Sequence, residues 1–128
     1  MTKSIFYKFE KIDENEFFFA IRDGYPVTPL HTLIIPQRHI LSFFELDSTE
    51  QKHLFPFIEK QRNVILSKDS SVTGFNIGLN DGRDAGRSVD HLHIHLIPRR
   101  SGDMPNPRGG VRGVIPSKQK YIKKEASK

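Results

Sequence analysis

Residues 90–96 read DHLHIHL and place a histidine at every second position of an otherwise apolar run. Successive side chains of a β-strand point to opposite faces, so histidines spaced in this way share one face, while the leucine and isoleucine residues between them face a core. We therefore expect a strand over residues 89–97. The three imidazoles that it would present side by side are those of His91, His93 and His95.

Further strands are indicated upstream of the histidine run. Residues 5–10 and 16–21 are rich in aromatic and β-branched side chains and flank the polar segment KIDEN, which is typical of a β-hairpin. Residues 31–35, HTLII, form a short apolar run that ends before Pro36, and residues 72–79 form another. Together these runs predict several strands, of which the first two would form the hairpin.

One helix is predicted over about residues 47–67. Asp47 can cap its first turn, and Glu50 stands three residues later, as in a capping box. Apolar residues then recur at helical spacing. Pro56 removes an internal hydrogen bond, so we expect a kink or a later start of the helix. A single helix beside several strands indicates the α+β class.

The composition indicates one domain and excludes several kinds of chemistry. The 128 residues, of which 36% are hydrophobic, suffice for a single modest core, so we expect one domain over residues 1–128. Without cysteine the chain has no disulfide, thiol nucleophile or cysteine-based zinc site. No run approaches the ~20 apolar residues of a membrane span, and residues 1–10 lack the pattern of a secretory signal. These features favour a cytoplasmic protein that has no membrane partner.

The net charge of +5 originates in the last quarter of the chain. Residues 1–97 hold 11 Lys and Arg against 13 Asp and Glu, whereas residues 98–128 hold 9 against 2. This second segment is also irregular, with several Pro and Gly, and it follows the histidine run directly. Its arginines either steer an anionic ligand towards that run or only keep the surface soluble. The residues concerned are Arg99, Arg100, Arg108 and Arg112.

The aligned histidines allow three interpretations. The first is that they only form a polar face of the strand, but such a face does not require strict alternation next to a glycine-rich loop. A zinc ion could be held by two of the histidines with His31 or His39 as a third ligand and an open position for water. Alternatively, a neutral imidazole can attack phosphorus and form a phosphoramidate, while flanking histidines donate hydrogen bonds to phosphate oxygens.

The loop over residues 80–88, NDGRDAGRS, carries groups that suit a phosphate. Gly86 lets the backbone approach a ligand, Arg87 brings a positive charge, and Ser88 brings a hydroxyl group next to the histidine run. The combination favours nucleophilic catalysis on a phosphate, although the sequence leaves zinc binding open.

At these residues the sequence resembles the histidine triad (HIT) family, whose signature is His-x-His-x-His followed by apolar residues. The run HLHIHLI of residues 91–97 fits that signature, and the likeness extends over about residues 17–100. The segment NDGRDAGRSVDHLHIHLIPRRSGD, residues 80–103, is more similar to the fragile-histidine-triad-like dinucleoside polyphosphate hydrolases than to the small phosphoramidases. The resemblance implies a HIT-like α+β fold with an antiparallel sheet, a homodimer and a nucleotide substrate.

The resemblance also implies roles for individual residues. His93, the middle histidine, would be the nucleophile and would carry a transient nucleotidyl group. His91 and His95 would stabilise the α-phosphate and orient His93. Ser88 would contact phosphate near the leaving group, and Asn80 would hold the phosphate or the ribose.

Other implied contacts lie earlier in the chain. Asp23 would bind the ribose hydroxyls. His31 and His39 would either complete the histidine cluster or only hold it in place. The base would lie beside apolar residues of the early strands. The candidates, which would serve equally well as plain core, are Phe18, Phe19, Ile21 and Leu33.

Two positions depart from the family pattern. Arg87 stands where Gln is usual, and its charge would either favour a longer polyphosphate leaving group or slow turnover by retaining the product. Leu30 stands where Gly is common before a histidine, and a positive φ there would be strained, so the local backbone could differ. Neither change removes a catalytic group.

The sequence therefore predicts a nucleotide hydrolase or nucleotidyl transferase. It would act on the α-phosphate of a nucleoside phosphoanhydride or phosphoramidate and release a nucleoside monophosphate. The chemistry requires no cofactor, although Mg²⁺ could accompany a polyphosphate substrate. The alternative is a nucleotide- or nucleic-acid-binding module with weak or no catalysis. Nucleic acid is not expected as a partner, because aromatic and basic residues are not interleaved as in single-strand binders.

Overall fold

The computed structural model describes residues 4–121 and folds them into one sheet with a helix packed on it. Its elements are β1 (Asp13–Glu14), β2 (Phe18–Arg22), β3 (Thr32–Pro36), α1 (Ser48–Lys68), β4 (Val72–Gly78) and β5 (Ile94–Arg100). The strands follow the order β1-β2-β3-β5-β4 across the sheet, and each neighbouring pair is antiparallel. This arrangement confirms the predicted α+β class, with an antiparallel sheet and one main helix.

The helix α1 begins where its capping box places it. The Asp47 carboxylate accepts a hydrogen bond from the Glu50 backbone N–H at 2.8 Å, and the Glu50 carboxylate accepts one from the Asp47 N–H at 2.9 Å. The range expected for the helix is therefore confirmed, but a later start caused by Pro56 is wrong. The helix tolerates the lost hydrogen bond because its inner face is held by the core. That face consists of Leu54, Phe57, Gln61 and Ile65.

Alternating side chains of β2 and β3 pack on opposite faces of the sheet. On the helix side, the main core includes Phe18, Ala20, Ile34, Phe57, Ile65 and Leu96. On the other side, a second buried cluster contains Phe6, Phe19, Ile21, Leu33 and Ile35. The histidine run lies over this second cluster, because the ring of His91 lies 5.9 Å from that of Phe6 and 6.3 Å from that of Phe19, between centroids.

The hairpin expected from residues 5–10 and 16–21 is wrong in its first half. Ile5–Lys8 forms a 3-10 helix, and Ser4 caps it by accepting a hydrogen bond at Oγ from the Phe6 backbone N–H at 3.2 Å. The short β1 pairs with β2 in place of the predicted first strand. Aromatic and β-branched residues fill buried 3-10 turns as well as strands, so composition could not separate the two.

The strand that carries the histidines begins later than the predicted range of 89–97. It comprises Ile94–Arg100, so of the three histidines only His95 lies within it. The residues before it leave the ladder because the Leu92 backbone N–H donates to the Ile40 carbonyl at 2.7 Å. This bond ties the histidine run to the loop that follows β3, instead of to β3 itself.

The C-terminal segment is irregular, as the sequence predicts. Residues 101–121 contain turns and two short 3-10 helices, Gly110–Val114 and Pro116–Lys118, while residues 122–128 lie outside the described part of the chain. The segment lies against β4, since a Cβ atom on Gly110 would be 3.1 Å from Nδ2 of Asn76. Among residues 4–121, no helix combines the length and the apolar character that crossing a membrane requires.

Candidate active site

His93 stands just before β5 and borders a cavity of about 490 Å³. Its Nδ1 lies 2.8 Å from the backbone carbonyl oxygen of His91. Because a carbonyl only accepts, Nδ1 carries the proton and donates it, and Nε2 of the neutral ring then holds a lone pair. The Phe6 ring lies edge-on, 4.9 Å from the imidazole between centroids, and restricts its rotation. The local structure thus leaves Nε2 as the ring nitrogen of His93 that holds a free lone pair.

His31 and His95 form a second directed hydrogen-bond chain. The Val27 backbone N–H donates to Nδ1 of His31 at 3.0 Å, so the proton of neutral His31 is on Nε2. That Nε2 lies 2.9 Å from Nδ1 of His95, which must accept, and the proton of His95 is therefore on its own Nε2. The rings of His95 and His93 lie 5.2 Å apart between centroids. The chain that starts at Val27 thus places an N–H donor beside the candidate nucleophile.

Burial keeps this pair of histidines uncharged at neutral pH. Burial, together with the neighbouring His93 and His31, lowers the pKa of His95 to about 4. Burial also lowers the pKa of His31, against the opposing effect of Asp23, whose Oδ2 lies 3.4 Å from Nε2 of His31. Neutral rings keep one donor and one acceptor each, which the directed chain requires.

His91 lies behind the cavity wall. It is fully buried, and its Nε2–H donates to the Pro36 carbonyl at 2.9 Å, while burial lowers its pKa. The exposed His39 stacks on the His91 ring with 4.4 Å between centroids, and its Nε2–H donates to the Asp90 carbonyl at 2.6 Å. These contacts fix the His91 carbonyl that orients His93. They favour a supporting role for His39 over direct contact with a ligand.

The cavity beside the nucleophile has a polar part and an apolar part. Its polar lining gathers six of the residues singled out in the sequence: Asp23, His31, Asn80, Ser88, His93 and His95. Its apolar lining includes Ile5, Phe6, Phe9, Ile21, Leu33 and Val89. An apolar slot next to converging polar groups suits a flat base that is joined to a ribose and a phosphate.

Only two of the four expected base neighbours line this cavity. Ile21 and Leu33 do so, whereas Phe18 packs in the main core and Phe19 packs beneath Tyr7. Phe18 faces the helix because alternate residues of a strand point to opposite sides. The sequence missed three lining residues of the N-terminal segment, which are Ile5, Phe6 and Phe9. A serine directly before this aromatic run was the available signal, since serine is a favoured helix cap.

The loop between β4 and the histidine run is anchored near its start by Asp81. The Asp81 carboxylate accepts hydrogen bonds from the Ser42 hydroxyl at 3.2 Å and from the Phe43 backbone N–H at 3.0 Å. Gly86 adopts a φ of +101°, and a Cβ there would lie 3.8 Å from Nδ2 of Asn80. The glycine therefore lets the loop turn close to an amide that lines the cavity.

Arg87 is engaged by a neighbouring carboxylate. Its Nε lies 3.2 Å from Oδ1 of Asp90, and Nη2 of Arg83 lies 3.6 Å from Oδ2 of the same group. The Arg87 side chain is only 15% exposed, whereas that of Arg83 is 80% exposed. Asp90 thus offsets part of the positive charge that the loop brings next to Ser88.

The C-terminal arginines are occupied by partners on the protein. Arg99 donates to Asp103 at 2.7 Å, and Arg100 donates to Asp69 at 2.9 Å. Arg112 lies over an aromatic ring at 4.7 Å from its centroid. Asp103 and Asp69 share the charge of Arg99 and Arg100, which weakens the expectation that these two arginines steer an anionic ligand.

The turn before His31 has a backbone conformation that is unfavourable for one of its residues, Leu30. The His31 N–H donates to the Thr28 carbonyl at 3.1 Å, which closes a turn with Pro29 and Leu30 in its centre. Leu30 has a φ of +73°, so the backbone adopts the left-handed region at a cost of about 1 kcal/mol. Its side chain packs against the main core, which offsets that cost. The strained turn holds the Val27 N–H against His31.

Asp23, His31 and His95 also form a group that could hold a metal ion, because one ligand atom from each lies within 4.8 Å of the others. A metal would have to replace the 2.9 Å hydrogen bond between His31 and His95. His91 and His93 each donate a hydrogen bond from one ring nitrogen to a backbone carbonyl, which is also the usual arrangement of a metal-binding histidine. The bond between His31 and His95 is therefore the contact that a metal ion would have to displace.

Known proteins share this sequence pattern and this fold. A model of the HIT domain matches residues 7–102. The asymmetrical bis(5'-nucleosyl)-tetraphosphatase of Schizosaccharomyces pombe is 42% identical over 78 residues, which cover 61% of this chain and 42% of that protein. An AP-4-A phosphorylase of Mycobacterium tuberculosis is 38% identical over 86 residues, which cover 66% of this chain and 44% of that protein.

A solved structure extends the likeness to three dimensions. The crystal structure of a HIT family protein from Bacillus anthracis superposes with a TM-score of 0.72 at 35% sequence identity, over 79% of this chain and 76% of that one. The match with the two curated relatives, in contrast, spans less than half of their length.

Proposed function

Since the chain belongs to the HIT domain family, we propose that it cleaves a dinucleoside polyphosphate at an α-phosphate through a covalent nucleotidyl-His93 intermediate. The observation that carries the proposal is the 2.8 Å hydrogen bond from Nδ1 of His93 to the His91 carbonyl, which leaves a lone pair on Nε2. The names of the two curated relatives, a bis(5'-nucleosyl)-tetraphosphatase and an AP-4-A phosphorylase, support a substrate with two nucleosides and four phosphates.

In the first step, the lone pair on Nε2 of His93 attacks the α-phosphorus. A bond between Nε2 and phosphorus forms, and the bond from phosphorus to the bridging oxygen breaks. The electron pair leaves with that oxygen on a nucleoside triphosphate, which departs as an anion and needs no proton. The ring of His93 gains a positive charge in this step, and the His91 carbonyl that accepts from Nδ1 stabilises it.

In the second step, a water molecule attacks the same phosphorus. The bond between phosphorus and Nε2 breaks, and the ring of His93 recovers its lone pair. The products are a nucleoside monophosphate and one proton, so the two steps together consume one water. Phosphate in place of water would release a nucleoside diphosphate, which is the outcome that the name of the phosphorylase relative suggests.

The remaining residues of the cavity serve binding and charge stabilisation in this scheme. Nε2–H of His95 donates to a non-bridging oxygen as negative charge develops, and the Ser88 hydroxyl lies near the leaving oxygen. The Asp23 carboxylate binds the ribose hydroxyls, and the Asn80 amide holds the phosphate. The base enters the apolar part of the cavity beside Leu33.

We also propose that the protein acts as a homodimer and that no metal takes part in bond breaking, with Mg²⁺ bound, if at all, to the polyphosphate of the substrate. The edge position of β4 supports pairing of two copies, because among residues 4–121 this strand is bonded to β5 alone.

The test compares three proteins on diadenosine tetraphosphate: the wild type, His93→Ala and His53→Ala. We expect His93→Ala to lower turnover by at least about 10,000-fold, because the chemistry passes through its ring. His53 is the matched control, since it is an exposed histidine of α1 that bonds to the Thr49 carbonyl. Its replacement should leave turnover unchanged.

Mass spectrometry of the quenched wild type should find an adenylyl group on the peptide that contains His93. Turnover should persist in the presence of a chelator. Full activity of His93→Ala would refute the intermediate, and tight binding of the substrate by the wild type without turnover would instead support a nucleotide-binding module.

A further inference from the structure

A second cavity, of about 400 Å³, lies beside the first. One wall is formed by β4 and β5, and the other by the C-terminal segment that folds back over them. Its apolar lining includes Ile77, Leu79, Ile97, Met104, Val111 and Val114. Neither the C-terminal segment nor the apolar lining that it contributes takes part in the two steps of the proposed reaction.

The two cavities meet at the reactive groups. Val27, Asn80, His95 and Ile97 line both of them. His95 is the residue that presents an N–H donor beside His93, and Asn80 is the amide placed at the phosphate. A substrate whose phosphate lies between these two side chains therefore has one cavity on each side of the scissile bond.

The second cavity suits an uncharged ring system better than it suits a polyphosphate chain. Its cation, Arg99, is already held by Asp103 at 2.7 Å and by Oδ1 of Asn76 at 2.7 Å. The same Asn76 amide keeps its Nδ2 for another acceptor, and Gln119 adds a second amide to the lining. Apolar walls with a few amides are typical of sites that bind a flat heteroaromatic base.

The wall that the C-terminal segment provides is closely fitted. A Cβ on Gly109 would lie 2.0 Å from the backbone oxygen of Gln119, and one on Gly113 would lie 2.8 Å from its Oε1. Gln119 also donates through Nε2 to the Arg108 carbonyl at 3.3 Å. The segment is thus folded around Gln119, while Val111 and Val114 remain 66% and 75% exposed at the cavity.

We propose that this second cavity binds the nucleoside of the leaving group, so that the C-terminal segment selects substrates with two nucleosides. The proposal rests on the proposed function, because it needs a substrate that spans both cavities. The transferred nucleoside occupies the cavity beside His93, and the departing nucleoside packs against Val111 and Val114. The polyphosphate that joins them passes His95 and Asn80.

The test measures kcat/KM for two substrates that share the transferred nucleotide. Diadenosine tetraphosphate carries a second nucleoside on its leaving group, and adenosine 5'-tetraphosphate carries none. In Val111→Asn and in Val114→Asn, we expect kcat/KM for the first substrate to fall by about tenfold, because apolar contact with the second base is lost. The value for the second substrate should not change.

The matched control is Ile115→Asn, which alters the neighbouring residue. Ile115 is 57% exposed but does not line the second cavity, so the ratio of the two kcat/KM values should stay at that of the wild type. All three altered residues are exposed and replaced by the same neutral side chain, so neither unfolding nor added charge should confuse the comparison.

Three outcomes would overturn the proposal. A wild type that cleaves both substrates, together with Val114→Asn that preserves their ratio, would remove the subsite and leave the proposed function standing. A wild type that cleaves neither substrate would refute both. A change in molecular mass of Val114→Asn, measured by light scattering, would show that the surface joins two copies of the chain instead of binding a base.

Discussion

At the scale of residues, backbone groups decide the chemical state of the histidines. The His91 carbonyl sets the proton of His93, the Pro36 carbonyl sets that of His91, and the Val27 N–H sets that of His31. Because backbone groups do not titrate, they fix which ring nitrogen of each neutral histidine carries the proton. Since His31 in turn sets the proton of His95, the three imidazoles of the motif acquire different roles.

His31→Ala should show how far this chain reaches into the reaction. Without Nε2–H of His31, the proton of His95 can move to Nδ1, and the donor beside His93 is lost for part of the time. We expect kcat for diadenosine tetraphosphate to fall by about 10- to 100-fold, less than a complete loss of such a donor costs, with a smaller change in KM. Steady-state kinetics measure this split, and an unchanged kcat would contradict the role given to the chain.

At the scale of elements, short-range signals and long-range contacts determine different parts of the fold. The helix start follows from a capping box whose partners are Asp47 and Glu50, three residues apart. The C-terminal segment depends on contacts between more distant residues, as in the packing of Gly109 against Gln119. Elements of the first kind tolerate change around them, whereas elements of the second kind depend on single positions.

Gly109→Ala should therefore release the C-terminal segment, and Gly102→Ala should not. Both glycines have a positive φ, at +87° and +82°, so each replacement costs about 1 kcal/mol in backbone strain. Only at Gly109 would the new Cβ also collide with backbone, whereas at Gly102 it meets no atom within 4 Å. Trypsin should cleave within residues 110–121 several times faster in Gly109→Ala, and equal rates in the two variants would contradict the packing.

The sequence alone predicted the features that depend on residues close together along the chain. The helix and the strands β3 and β4 were predicted, because periodicity and capping are local signals. Of the polar residues that line the cavity, those in the histidine motif and its loop were indicated by the sequence itself, whereas Asp23 and Asn80 were implied only by the family resemblance. The start of β5 was not predicted, since it depends on the contact between Leu92 and Ile40. The burial of His91 was missed for the same reason, because its partner Pro36 comes from another strand.

At the scale of the whole molecule, the sheet separates two functions. One face packs on α1 and contributes the main core, while the other carries the histidines and the cavity beside them. Burying a cluster of histidines on a working face makes the stability of the entire fold depend on pH. The dependence follows from the lowered pKa values of His31, His91 and His95.

The free energy of unfolding should fall as the pH drops from about 6.5 towards 4. In this window the unfolded chain binds protons that the folded chain excludes, so stability is fully present above the ordinary pKa of histidine and is lost below it. For His95, whose pKa falls from 6.5 to about 4, the loss amounts to about 3 kcal/mol. Urea unfolding at pH 7 and pH 5 measures the effect.

The matched variant is His95→Gln, which removes the histidine with a pKa of about 4 and should flatten the profile in that window. Carboxylates with lowered pKa values, such as those of Asp69 and Asp103, lose their contribution only at lower pH, below their ordinary value of 3.8. Equal stability of the wild type at pH 7 and pH 5 would contradict the uncharged state of the histidines.

The neutral state of His31 and His95 also affects the release of the product in the proposed reaction. A site that bound phosphate through fixed positive charge would bind the product as tightly as the substrate. Small inorganic anions would also compete for that site. Here His31 donates its Nε2–H to His95, so the N–H dipole that faces an oxygen is that of His95, and it binds this oxygen most strongly when the oxygen gains charge during the reaction. After the bond is broken, the affinity for the product comes mainly from the contact between the base and the apolar wall. This favours rapid exchange of the product.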